Sequence, residues 1–255
     1  MALRMKSLLA GACVVLGLTA VTPIAAYALD DAQKKEFGEF IREYLVSHPE
    51  VIQEAQAALE KKQAEEQAQA STQAVERNKD AIFAAPDDVS LGNPKGDVTV
   101  VEFFDYNCGY CKQALPDMNA LLEKDKNIRF VLKEFPILGP DSLAAHRVAD
   151  AFRKIRRDRY NEFHQALLGA HERATEKRAI EVAASLGVNE DEIRAMMKKS
   201  PADDSIRESY RIAQELGVSG TPSYVIGNDP VFGAVGASEL SAKVANLRSC
   251  GKTTC

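Results

Sequence analysis

The sequence predicts an α/β domain with an inserted set of helices, carried behind an N-terminal α-helical arm. Three observations predict it. The run Val98–Phe104 is β-branched and aromatic and passes straight into a helical stretch opened by Cys108-Gly109-Tyr110-Cys111. Residues of about 138–216 show helical periodicity throughout. Pro222 then begins a second strand region after a long helix, Asp203–Leu216, that ends at Gly217. The 255 residues, 45% hydrophobic and 27% charged, suffice for one sizeable core plus an extension. A formal charge of −5 with no basic block argues against nucleic acid as a partner.

The first element in chain order is a leader. Arg4 and Lys6 precede an apolar run over residues 8–20, and no acidic residue appears before Asp30. With the small residues Ala26-Tyr27-Ala28, this reads as a secretory signal peptide, residues 1–28, cleaved after Ala28. The run is short of the ~20 residues that span a bilayer. Cys13 lies inside it rather than at its end, which speaks against lipidation. The expected location is the periplasm or outside the cell. The mature chain keeps Cys108, Cys111, Cys250 and Cys255, an even number in a compartment where disulfides form.

Residues 29–85 form the arm. Asp30 and Gln33 suit a helix cap, and Phe37, Phe40, Ile41, Tyr44 and Leu45 make one apolar face. Ser47-His48-Pro49-Glu50 reads as a break and restart, with Ser47 and Glu50 as a second capping box. Val51, Ile52, Ala55, Ala58 and Leu59 line one side of the next helix. From there the chain has high helix propensity but no large apolar residue up to Ala74. Either the arm docks on its own domain, or its apolar part self-associates with residues 60–80 as a helical spacer.

Residues 90–249 form the main domain. Between the strand Val98–Phe104 and a second strand at 128–135, the C-x-x-C opens a helix continuing through Leu115, Met118, Leu121 and Leu122. Only a thiolate attacks a disulfide, and a free cysteine has a pKa of ~8.5. At a helix N-terminus, unpaired N–H groups and the dipole favour an anion. Cys108 is therefore expected as the exposed nucleophile. Cys111, one turn on, is expected as the resolving thiol that closes a ring with it and expels the substrate. A purely structural disulfide would close too small a loop to stabilise much. A zinc site made with Cys250 and Cys255 lacks finger-like context.

The inserted helices carry Leu143, Val148 and Phe152; Tyr160, Phe163 and Leu167; and Ile180, Ala183, Ala184 and Leu186. His146, His164 and His171 have no metal spacing and are expected as surface or hydrogen-bonded histidines, and no metal is assigned. After Thr221-Pro222, whose bond can be cis, a hairpin at 224–226 and 231–235 turns about Gly227-Asn228-Asp229. Leu240, Val244 and Leu247 mark a last helix. In the tail, residues 250–255, four polar or flexible residues separate Cys250 from Cys255, which suggests a local structural disulfide. A second redox relay or a metal clasp is the alternative.

Together, the Cys108-Gly109-Tyr110-Cys111 helix, the flanking strands, the helical insertion and the Thr221-Pro222 hairpin resemble the DsbA-like branch of the thioredoxin superfamily. The resemblance implies a thioredoxin fold with an inserted helical subdomain. It implies a cis Pro222 beside Cys108, with Thr221 offering its backbone to an extended peptide and Gly109 and Tyr110 next to it. Glu102, six residues before Cys108, matches the family's buried acid, and Lys133 on the next strand its basic companion; such a carboxylate can accept the proton of the buried cysteine. The arm, with EYLVSHPEVI, is similar to that of ScsC- and Com1-type proteins, which implies trimerisation.

Two details lean from a DsbA oxidase toward an isomerase. The histidine of the usual Cys-Pro-His-Cys is absent, and Gly217-Val218-Ser219-Gly220-Thr221-Pro222 is similar to the loop of DsbC-type isomerases. The expected activity is disulfide isomerisation or reduction on exported client proteins. The only redox group is the Cys108–Cys111 pair, with no other cofactor, kept reduced by a membrane thiol reductase of the DsbD or ScsB kind. One alternative is a dithiol oxidase served by a quinone-linked membrane oxidase. Another is a copper-binding or copper-tolerance protein, since thiolates at this spacing suit Cu(I).

Overall fold

The computed structural model describes residues 30–85 and 88–255. The expected leader and its cleavage site lie outside the described residues. The chain divides into two units, one up to Leu59 and one of Glu60–Cys255.

The first unit holds helix α1 (Asp31–Ser47) and the start of α2 (Glu50–Arg77). Asp30 caps α1: its carboxylate accepts the Gln33 N–H, and the Gln33 side chain accepts the Asp30 N–H. The expected second capping box at Ser47 is not formed. The Ser47 hydroxyl instead donates back to the Glu43 carbonyl at 2.6 Å, within the last turn of α1, a local bond that serine makes as readily as a cap. Phe37, Phe40, Ile41 and Tyr44 are exposed, and no residue of α1 is buried.

In the second unit the polar character expected of the α2 spacer gives way near its end, where Ser71, Ala74 and Val75 are buried. The Ser71 hydroxyl donates to the Leu216 carbonyl at 3.2 Å, and Asn78 Nδ2 donates to Glu215 at 2.7 Å. Helix α3 (Lys79–Phe83) follows, burying Ile82. Then come β1 (Val89–Gly92), β2 (Val98–Phe104), α4 (Gly109–Lys124) and β3 (Ile128–Glu134). The insertion is α5 (Pro140–Ile155), α6 (Tyr160–Leu168), α7 (Glu176–Ser185), α8 (Glu190–Lys199) and α9 (Asp203–Leu216). The chain closes with β4 (Ser223–Ile226), β5 (Asp229–Phe232) and α10 (Gly236–Cys250).

The sheet order is β1-β3-β2-β4-β5, with β2 and β3 parallel and the other pairs antiparallel. Strand parity decides what reaches each face. Val98, Val100, Phe104, Phe130, Leu132, Tyr224 and Ile226 face a core shared with α4, α10 and most of the insertion. Val101, Phe103, Val131 and Val225 face a second core built with Ala74, Val75, Ile82, Ile212, Ala213 and Leu216. The last insertion helix, α9, thus returns to the opposite side of the sheet from α4.

Strand β1 and helix α8 are among the elements absent from the sequence reading. Strand β1 has four residues among turn formers and is stabilised by pairing with β3 rather than by its own pattern. Helix α8 buries only Ile193 and is held at its start by the Asn189–Glu192 capping box. Strand β5 begins at Asp229, inside the expected turn; Pro230 is tolerated there because β5 is the edge strand.

Candidate functional site

The site is assembled where β2 hands over to α4. Asp105, fully buried, folds the intervening turn around itself. Its carbonyl accepts the Cys108 N–H at 3.0 Å, and its carboxylate accepts the Asn107 N–H at 2.8 Å and the Leu138 N–H at 2.9 Å. Cys108 is the N-cap of α4, with no side chain capping that end. The helix therefore presents its first N–H groups to the Cys108 sulfur.

Both thiols are free. Cys111 is fully buried. Cys108 keeps 7% of its surface, so the expected exposed nucleophile is mostly covered. Beside it lies the Thr221-Pro222 bond, which is cis. The Cys108 thiol donates to the Thr221 carbonyl at 3.0 Å, and the Pro222 carbonyl accepts the Gly233 N–H at 3.0 Å. The Thr221 hydroxyl oxygen is buried with no hydrogen-bond partner. Gly109 borders open space, and the Tyr110 ring is exposed beside it.

The two sulfurs are driven apart in acidity. A hydrogen bond from the Cys111 thiol brings Cys108 down to about 5, helped by the N–H groups of Cys111 and Tyr110 against the opposing effect of burial. Cys111 moves far upward, through that same hydrogen bond, then burial, then the charge of Glu102. At neutral pH one sulfur is a thiolate open to a partner and the other a thiol sealed beneath it.

Glu102 is 3% exposed and is pushed up to about 8, by burial first and by the Cys108 thiolate second. It shares the sheet face of α4. Lys133, the expected companion, is not brought to it. In the β2–β3 register Glu102 pairs with Leu132 and Lys133 with Phe103, so the two side chains leave opposite faces of the sheet. Lys133 is buried on the far side, where it pairs with Asp88 and donates to the Ala81 carbonyl. Lys133 is thus not a neighbour of the buried acid Glu102.

Two groups with no place in the sequence reading fix the site to the insertion. Asn107 Nδ2 donates to Ser142 Oγ at 3.0 Å and to the Ala174 carbonyl at 2.9 Å, and Asn107 Oδ1 accepts the Ala174 N–H at 2.8 Å. Lys112 Nζ donates to the carbonyls of Ala170, at 2.6 Å, and Glu172, at 3.2 Å. Asn107 precedes the cysteine and has four hydrogen-bonding sites; its position alone was the available signal. Replacing it with alanine leaves the Ala174 N–H and carbonyl without their partner and is expected to cost about 2–3 kcal/mol of stability. Urea unfolding of Asn107→Ala measures this, and an unchanged midpoint would refute it.

Of the three histidines only His164 departs from expectation. His146 and His164 are fully buried. The His146 ring accepts the Tyr106 N–H at 3.4 Å, whereas neither ring nitrogen of His164 has a partner. Burial, then His146, brings His164 down to about 3, so it is a neutral ring packed on Phe104 and Tyr160. At the chain end Cys250 and Cys255 are joined in a disulfide, and Thr253 inside that loop donates to Asp229 at 2.6 Å.

Residues 99–245 match the DSBA-like thioredoxin domain, and residues 33–66 match the copper resistance protein ScsC N-terminal domain. The chain is similar to the crystal structure of a thioredoxin-like oxidoreductase from Silicibacter pomeroyi. It is 40% identical, with a TM-score of 0.65, over 68% of this chain and 99% of that one. Proteus mirabilis ScsC in a transitional conformation is 27% identical, with a TM-score of 0.59, over 84% of this chain and 95% of that one. A curated Na(+)/H(+) antiporter of Salinispora tropica is 26% identical over 60% of this chain, which spans only 24% of that protein.

Proposed function

Because the chain belongs to the DSBA-like thioredoxin domain family, we propose that it is an exported, periplasmic thiol:disulfide oxidoreductase that isomerises or reduces disulfides in client proteins. The observation that carries this is the Cys108 sulfur, brought down to about 5 and lying 3.0 Å from the Thr221 carbonyl beside cis Pro222. A client disulfide laid along Thr221 meets a thiolate that is already formed. Cys108 attacks one client sulfur and the other leaves as thiolate. Cys111 then gives its proton to the Glu102 carboxylate and attacks Cys108, the client's remaining sulfur departing with the electron pair of the broken bond.

The exposed apolar face of α1, Phe37, Phe40, Ile41 and Tyr44, supports self-association, with a trimer as the reading. An assembly of several Cys108 sites suits isomerisation, in which a client must be released and recaptured. Among the described residues no helix is long and apolar enough to cross a membrane. In this reading a membrane thiol reductase supplies the electrons for Cys108–Cys111.

One observation favours a second reading. A stabilised Cys108 thiolate favours the dithiol form, which makes the disulfide form a ready oxidant; with a quinone-linked partner the same pair would serve as an oxidase. Alkylation trapping in intact cells separates the two. A predominantly dithiol Cys108–Cys111 pair, with reactivation of scrambled ribonuclease by the purified chain, is the expected result. A fully oxidised pair without isomerisation would replace the first reading by the second.

A further inference from the structure

Cys250 and Cys255 form a second cysteine pair that the exchange chemistry above leaves unused. Both residues are exposed, and their disulfide closes a loop of four intervening residues, too short to stabilise the fold much by itself. Inside that loop, however, Thr253 is buried. Its hydroxyl donates to Asp229 at the start of β5, and its carbonyl accepts Asn246 Nδ2 at 3.0 Å. The disulfide therefore holds a buried contact in place. The pair lies far from the reacting cysteines. Two residues before Cys250, Arg248 pairs with Asp125, the C-cap of α4, and with Asp97 just ahead of β2. Cys108 caps the other end of α4, a helix of 16 residues, so about 24 Å of helix separates the two ends. Within one folded copy the two pairs do not meet.

Their settings are also opposite. Cys108 sits at a helix N-terminus, whose N–H groups favour a thiolate, whereas Cys250 is the last residue of α10, at the end where carbonyls disfavour one. Cys108, brought down to about 5, is thus the better leaving sulfur. Electrons pass more readily from a tail dithiol to a Cys108–Cys111 disulfide than the other way.

We propose that the chain is its own substrate: the disulfide form of Cys108–Cys111 in one copy oxidises Cys250 and Cys255 of a second copy. The proposal rests on the exchange reading above, in which each client reduced leaves Cys108–Cys111 as a disulfide. The Cys250 thiolate of the second copy attacks Cys108 Sγ. Cys111 departs with the electron pair of the broken bond and takes the proton that Glu102 carries. The Cys255 thiolate then attacks Cys250 Sγ, and Cys108 leaves as a thiolate. Two electrons pass from tail to site. Of the two protons lost by the tail thiols, one replaces that of Glu102 and the other stays in water.

The test mixes two full-length chains without oxygen. The donor, Cys250→Ala/Cys255→Ala, keeps Cys108–Cys111 as a disulfide. The acceptor, Cys108→Ala/Cys111→Ala, is isotope-labelled and has its tail reduced. Alkylation and mass spectrometry follow the labelled Cys250 and Cys255 thiols with time. They are expected to disappear about tenfold or more faster than with the same concentration of glutathione disulfide, one Cys108–Cys111 dithiol forming for each tail disulfide. A donor that also carries Cys108→Ala is expected to leave them at the background rate. The same arms are run with serine in place of alanine, so that one misfolded variant does not decide the result. A donor that oxidises a model dithiol peptide, yet oxidises the tail no faster than glutathione disulfide does, overturns the proposal and assigns the tail to another oxidant. A donor that oxidises neither peptide nor tail defeats the exchange reading, and the proposal with it.

Discussion

Cys111→Ser is expected to turn the protein into a trap. Cys108 keeps its place at the α4 N-terminus and its carbonyl neighbour at Thr221, so it still attacks a client disulfide. With no second sulfur, turnover is expected to fall roughly 10³-fold, and disulfide-linked adducts accumulate on Cys108. Non-reducing gels of cell extracts read this directly. Because the Cys111 hydrogen bond is the largest influence lowering Cys108, a Cys111→Ala variant, which has no donor there, is also expected to alkylate at a higher apparent pKa. A copper-sequestering role makes the opposite forecast: weakened Cu(I) binding and no adducts. Absence of adducts in a stable Cys111→Ser protein would defeat the exchange mechanism.

The dithiol and disulfide forms are expected to answer differently to pH. Glu102 rises from its ordinary 4.5 to about 8 in the fold. Between those values the unfolded chain has lost a proton that the folded chain keeps, so stability falls as pH rises through this window, by up to about 4 kcal/mol. Cys108 moves the other way, from 9.0 to about 5; its contribution is absent below pH 5 and grows as pH rises toward 9. Above pH 6.5, where His164, held near 3 in the fold, is neutral in both states, the two slopes oppose in the dithiol form up to pH 8. In the disulfide form Cys108 does not titrate and the Glu102 slope loses that opponent. Urea midpoints of the oxidised protein should therefore drop from pH 6.5 to 8 while those of the reduced protein stay much flatter. Glu102→Gln should level the first and tilt the second upward. An oxidised Glu102→Gln variant that retains the original slope would exclude Glu102 as the responsible group.

The sequence carried the local chemistry of this site well and its three-dimensional accounting poorly. Cys108-Gly109-Tyr110-Cys111 between a β-branched run and an amphipathic helix is a short-range pattern, and Gly217 closes a helix through its own positive φ. These depend on near neighbours and can be read from one strand of text. Lys133 shows the limit. It lies on the strand beside Glu102, but a one-residue offset in a parallel register sends it through the sheet to Asp88. Asn107 was passed over for a related reason: an asparagine in a turn looks ordinary until Ala174 is set against it by the fold. The end of the spacer was hard to read because Ala74 is small, and only the surface it meets makes it core.

The docking of α2 bears on where the polypeptide can be divided. Ser71, Asn78, Ala74, Val75 and Ile82 belong to the far-side core and to the ties with Leu216 and Glu215. A side chain at Gly217 would run into Gln67 at 2.9 Å. A minimal fragment begun at β1, the obvious boundary by eye, would bare Ile212, Leu216 and Val225 to water and loosen the turn that leads into Thr221-Pro222. A fragment begun at Glu60 keeps that surface covered. The practical domain edge thus lies inside a continuous helix, and expression trials that cut at the loop before β1 should yield insoluble material while those that cut within α2 yield a monodisperse enzyme.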